Sequence, residues 1–250
     1  MNIEHRTSNS AGRETHNARR AFSLTEVLMS IGILAIGMLF IAGVFPVGIH
    51  FTTVAAERTI AAAAADEAFA KIKLYGVDAN NWQEPFEKVV PVMPPLSEFA
   101  YPSTSADITT KRYWWSAICR KVSDSDVQVT VFISRKAGAT TTYLSLLDPL
   151  LYPPIRPVAM PVGVNGTVGD YELTIIGNRT WINDGYTIIN GATGQIHRVL
   201  QRYSPPLDDR IRLDTAWQGG ALPGSVWVVP PAVGGGRYPC IAVYQKVIRF

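Results

Sequence analysis

The sequence predicts an α+β protein: a long N-terminal hydrophobic helix, membrane-spanning and then amphipathic, packed on an antiparallel β-sheet, with an additional C-terminal antiparallel β region. Three observations carry this. An apolar run from Val27 contains no lysine, arginine, aspartate or glutamate until Glu57, which exceeds the ~20 residues a helix needs to span a bilayer. Residues 112–119 and 127–133 are rich in aromatic and β-branched side chains and flank Ser123-Asp124-Ser125-Asp126. Alternation of Val127, Val129, Val131 and Ile133 in the second segment marks one buried face, so the pair reads as a hairpin. Beyond residue 160, short β-branched or aromatic segments recur between Gly, Asn, Asp and Pro, the spacing of a small antiparallel barrel or a sheet extension.

Taken in order, residues 1–21 form a polar leader carrying Arg6, Arg13, Arg19 and Arg20 against Glu4 and Glu14. This basic excess predicts a cytoplasmic N-terminus for a single-pass membrane protein, with the C-terminal bulk on the other side. An ordinary secretory leader places its apolar stretch before the cut, whereas here it follows the polar segment and would be retained. Glu26 stands at the edge of the apolar run, four residues beyond Phe22. A carboxylate at that depth is costly without a cation, which marks it as functional.

Phe22-Ser23-Leu24-Thr25-Glu26 ahead of an apolar helix resembles the processing and methylation site of type IV pilins and type II secretion pseudopilins. Residues 33–39 are similar to the helix of minor pilins of the pilus-modification group and of minor pseudopilins. The resemblance covers residues 19–75 and departs at Ala21, where the family more often has glycine. It implies cleavage between Ala21 and Phe22 by a prepilin peptidase of the inner membrane, N-methylation of Phe22, and neutralisation of a neighbouring subunit's amine by Glu26. The implied partners are the prepilin peptidase/methyltransferase, other pilin or pseudopilin subunits, an inner-membrane assembly platform and the lipid bilayer. The implied location is the inner membrane, with the C-terminal domain periplasmic or extracytoplasmic, and then a pilus or pseudopilus.

The helix is predicted over residues 22–76, transmembrane over about 22–49, with Gly76 as its terminator. Pro46 removes one helical hydrogen bond, so a kink or local melting is expected there; a proline near this position marks a bend in the family. Ile60, Ala64, Ala65, Ala68, Phe69 and Ile72 share one face on which a sheet can pack. Residues 77–110, with Pro85, Pro91, Pro94, Pro95 and Pro102, read as a connecting loop. Residues 111–160 hold the hairpin and a proline-rich linker that extends to Pro161 and excludes a central strand. Residues 161–250 form the C-terminal β region, with strands expected near 171–176, 186–189, 195–201, 211–214, 226–229 and 241–248.

Net charge is +3 and the basic residues beyond the leader are scattered, so nucleic-acid binding by the folded part is not expected. His5, His16, His50 and His197 have no metal-ligand spacing; His50 reads as interfacial and His197 as an exposed strand residue. Asp124 with Asp126, and Asp208 with Asp209, fit turn chemistry better than a calcium cage. No metal and no cofactor are therefore expected. Gly234-Gly235-Gly236 follows two prolines and reads as a flexible loop, not a phosphate cradle. Trp114, Trp115, Trp181, Trp217 and Trp227 fit either core positions or a partner surface, core being commoner for strand aromatics. Cys119 and Cys240 could form a disulfide in an oxidising compartment or remain two buried thiols. With no nucleophile–base pattern, an enzyme is not expected. Two functions stand: a filament subunit, minor in view of its large β region, and a membrane-anchored β domain acting as a non-assembling binding module.

Overall fold

The computed structural model describes residues 23–104, 107–108, 110–138, 140–146, 154–219 and 223–250. The chain divides into two units, Met1–Thr53 and Val54–Phe250. Helix α1 runs Leu24–Tyr75. In the first unit every described residue of α1 is exposed, as suits a segment whose apolar side chains meet lipid. The helix is unbroken at Pro46, so of the kink or local melting expected there, the melting does not occur. In the second unit α1 buries Glu57, Ala61, Ala64, Ala65, Ala68 and Ile72, one stripe at three- and four-residue spacing. Gly76 closes the helix at φ +78°, its N–H donating to the Ile72 carbonyl at 3.1 Å, a conformation that glycine adopts without a Cβ penalty.

The buried stripe packs on an antiparallel sheet. Its central strands are β3 (Tyr113–Lys121) and β4 (Asp126–Arg135), paired from Tyr113↔Arg135 to Lys121↔Val127. The segment expected to be connecting loop contributes structure of its own. It contains β1 (Glu84–Pro85), α2 (Phe86–Val89), a 3-10 turn (Leu96–Phe99) and β2 (Ala100–Tyr101), with both short strands on β3. Phe86, Phe99 and Trp115 meet with ring centroids 4.8–6.3 Å apart. Arg156 lies 4.0 Å over the Phe99 ring, donates to the Trp115 carbonyl at 3.0 Å and pairs with buried Glu87. Prolines hid these elements from a periodicity reading, because two- to four-residue pieces carry no period.

The remaining strands are β5 (Met160–Gly166), β6 (Glu172–Ile176), β7 (Thr187–Asn190), β8 (Ile196–Arg202), β9 (Arg210–Leu213), β10 (Gly224–Val228) and β11 (Cys240–Arg249). Six form a closed barrel in the order β10-β5-β6-β9-β8-β7, sealed by Val226↔Asn190 and Trp227↔Ile189. Val162, Val164, Leu173, Ile175, Ile188, Val199, Ile211, Leu213, Val226 and Val228 are part of its core.

Two strand assignments differ from the sequence reading. β5 begins inside the passage thought too rich in proline for a strand. Pro161 is accommodated because it precedes the β5–β6 ladder, which starts at Gly163. The strand expected within the C-terminal β region at 241–248, β11, instead returns to the first sheet and pairs with β4 from Cys240↔Ser134 to Arg249↔Asp126.

The barrel covers the sheet face opposite α1. Ile118 and Phe132 cluster there with Ala159, Ile189, Trp227 and Val229. Polar contacts surround this patch. Arg120 donates to the Ala192 carbonyl at 3.0 Å, and Gln245 donates to the Gly194 carbonyl and Thr130 Oγ1, both at 2.9 Å. The Gln83 amide, oriented to satisfy both ends, bridges the Asn190 carbonyl and the Gly194 N–H. Consequently β4 is buried on both faces: Thr130, Phe132 and Ser134 are as enclosed as Val129, Val131 and Ile133.

Candidate functional site

Ser23-Leu24-Thr25-Glu26 opens α1 as a reciprocal cap. The Ser23 N–H donates to Glu26 Oε2 at 3.0 Å and the Glu26 N–H donates to Ser23 Oγ at 3.2 Å. These bonds satisfy two groups that a helix start otherwise leaves to solvent. Ser30 Oγ, one turn on, donates to the Glu26 carbonyl at 2.7 Å. The sequence reading gave Glu26 only a charge role, although Ser-x-x-Glu before an apolar run is itself a capping signature. Ala21 and Phe22, the two sides of the expected cut, lie outside the described residues.

The other sequence-selected residues do not converge on a site. Cys119 and Cys240 are free thiols. Cys119 is opposite Val129 and Cys240 opposite Ser134, five residues apart along β4 or about 16 Å at strand rise, far beyond the ~7 Å a disulfide tolerates. Burial raises both thiols above the usual range, Cys240 to about 12, which keeps them protonated and unreactive at neutral pH.

His197 is buried and not exposed, because its side of β8 faces the barrel interior with Val199. Its ring stacks on Trp217, centroids 5.4 Å apart; Nδ1 lies 2.8 Å from Thr215 Oγ1, and Nε2 is buried without a partner. Burial holds its pKa below the usual histidine value against the opposing pull of Asp214. His50 is exposed on α1. Asp124 pairs with Lys121 at 3.0 Å and Asp208 with Arg179 at 2.8 Å, so both serve as ion-pair partners in loops. Among the described residues no three His, Cys, Asp or Glu side chains gather into a metal-sized group. Trp114, Trp115, Trp217 and Trp227 are buried, whereas Trp181 is half-buried. Trp181 lines an open cleft of about 620 Å³ with Asn178, Asn183, Arg202 and the 234–236 glycines.

Two adjoining clefts carry concentrated charge that the linear sequence had presented as scattered. One of about 520 Å³ is lined by Lys111, Arg112, Arg135, Lys136 and Arg237; the other, of about 170 Å³, by Val54, Glu57, Arg58, Arg135 and Arg237 among others. The pairing Tyr113↔Arg135, the Lys136 N–H to Arg112 carbonyl bond at 2.7 Å and the Arg135 N–H to Pro239 carbonyl bond at 2.8 Å bring these segments together. Glu57, nearly buried, pairs with Arg135. Burial lowers the Lys136 pKa.

No curated protein and no solved structure matches the chain. Residues 16–42 match the prokaryotic N-terminal methylation motif, a segment that includes the Ser23–Glu26 cap and the first half of the apolar run. The match supports a pilin-like subunit processed by prepilin peptidase, and the exposed apolar helix supports membrane anchoring. Through these residues the chain carries a prokaryotic N-terminal methylation motif.

Proposed function

We propose that the chain is a structural subunit cut between Ala21 and Phe22, methylated on the new Phe22 amine, and assembled through α1 into a type IV pilus or a type II secretion pseudopilus as a minor component. The observation that carries this reading is the methylation motif over 16–42, whose residues from Leu24 on lie in a helix that is exposed at every described position before Val54. Such a surface needs lipid or the helices of neighbouring subunits. Glu26 Oε2 is engaged by the Ser23 N–H, which fixes the carboxylate beside the helix start, where it can meet the Phe22 amine of an adjacent copy. Pairing there offsets the cost of holding the charge in an apolar bundle. The barrel on the back of the sheet is an elaboration suited to a minor subunit that meets a distinct partner.

N-terminal sequencing of the membrane-extracted protein should begin at a methylated Phe22; a chain starting at Met1 would leave the anchored binding module as the better description. Glu26→Ala should insert in the membrane normally and fail to enter filaments. Incorporation at wild-type levels refutes the assembly role of this carboxylate.

A further inference from the structure

We propose that the basic clefts formed around Arg112, Arg135 and Arg237 bind the phosphate headgroups of anionic membrane lipids. The proposal rests on α1 acting as a membrane span and goes beyond it by assigning a ligand to the folded unit. Among the described residues, Arg58, Lys111, Arg112, Arg135, Lys136 and Arg237 line the two clefts against one carboxylate, Glu57; Lys111 and Lys136 are buried in the wall, Lys111 donating to the Pro102 carbonyl. That carboxylate is already paired with Arg135. Arg58, Arg112 and Arg237 are exposed, so their charge is presented to the exterior.

Position selects lipid as the occupant. Val54, the first residue of the folded unit, lines the smaller cleft, and Glu57 and Arg58 are the first charges after the apolar run. At 1.5 Å per residue, α1 from Leu24 to Val54 is about 45 Å long, matching the ~40–45 Å of hydrocarbon core plus headgroup layers. The cleft-lining charges Glu57 and Arg58 thus follow directly on the stretch long enough to span the bilayer, at its headgroup end. Arginine forks suit phosphate oxygens there, and each cation near an anionic surface adds attraction that decays within a Debye length.

The test uses the full chain, stripped of lipid in neutral detergent, with phosphatidylglycerol or phosphatidylcholine added and bound lipid counted by native mass spectrometry. The wild type should prefer phosphatidylglycerol. Arg112→Ser with Arg237→Ser should weaken that binding by more than tenfold, at roughly fivefold per arginine removed. Arg210→Ser with Arg212→Ser, which removes equal charge from exposed barrel positions, should leave it unchanged. Arg58→Ser, at an exposed helix position, gives an independent reading with an expected loss of roughly fivefold. All variants share the same N-terminal segment, so differences between them report the clefts. Equal binding of the two lipids, unchanged phosphatidylglycerol binding in both cleft variants, or an equal loss in the barrel control overturns the proposal. So does lost filament entry with unaltered lipid binding, which would assign the clefts to an acidic face of another subunit. N-terminal sequencing reads the processing reaction separately, so failure of one reading does not masquerade as failure of the other.

Discussion

His197 shows how a single buried side chain can carry a pH dependence of stability. It sits in the barrel core stacked on Trp217 with Nε2 unpartnered. Protonation would put an additional charge where burial disfavours it, and its pKa is accordingly lowered. A lowered histidine pKa means that the unfolded chain binds more protons than the folded one below the ordinary value. Stability from this group is therefore complete above pH ~6.5 and declines as pH falls through that value towards the folded pKa, by at most about 1.4 kcal/mol per pH unit. His197→Gln removes the titration. Thermal midpoints measured at pH 7.5 and 5.5 should fall further in the wild type than in this variant, and identical slopes would remove His197 as the source. Gly194 illustrates a different residue-scale constraint. At φ +77° it offers its N–H and carbonyl to Gln83 and Gln245, and a Cβ there would come within 2.6 Å of the Gln83 amide. Turn chemistry suggests a glycine in this stretch; the closeness of two glutamines from distant segments is not visible in it.

At the scale of elements, the informative strand is β4. Its sequence alternates valines so clearly that it reads as half-buried, yet the opposite side, Thr130, Phe132 and Ser134, is also enclosed. Periodicity reports chemical contrast, and here the second face mixes an aromatic with hydroxyls, which the barrel covers by combining apolar packing with hydrogen bonds. Phe132 and Trp227 lie in the same cluster across that contact. Phe132→Ala should cost about 3–5 kcal/mol. In a double-mutant cycle with Trp227→Ala the two should couple by about 0.5–3 kcal/mol, as residues sharing one packed cluster do. Additive losses in denaturant melts would show that the barrel does not stabilise the sheet through this patch. The return of β11 to β4 is likewise an element-scale fact. Its residues carry a generic strand signal, and nothing in their order distinguishes a last barrel strand from a sheet edge.

At the scale of the whole molecule, the assembly role proposed for Glu26 adds to the helix-start role that its cap hydrogen bonds show. Glutamine can replace glutamate in the cap but carries no charge, whereas Ser23→Ala removes the cap's hydroxyl and leaves the carboxylate. Glu26→Gln should thus remain helical and membrane-inserted but be absent from sheared filaments. Ser23→Ala should cost the helix start about 1 kcal/mol and still be incorporated. The reverse pattern would make the cap, and not the charge, the requirement for assembly. The sequence by itself determined the local properties: the anchor, the Gly76 stop, the buried stripe of α1, the hairpin and the methylation motif. Each is written in contiguous residues or in one period, so chain-local physics reads it. Only the tertiary structure decided that Cys119 and Cys240 stay apart, that β5 and not β11 completes the barrel, and that dispersed arginines share two clefts. Those outcomes depend on which distant segments pair, and pairing is selected by the packing of the finished core, a property that no single stretch of chain contains.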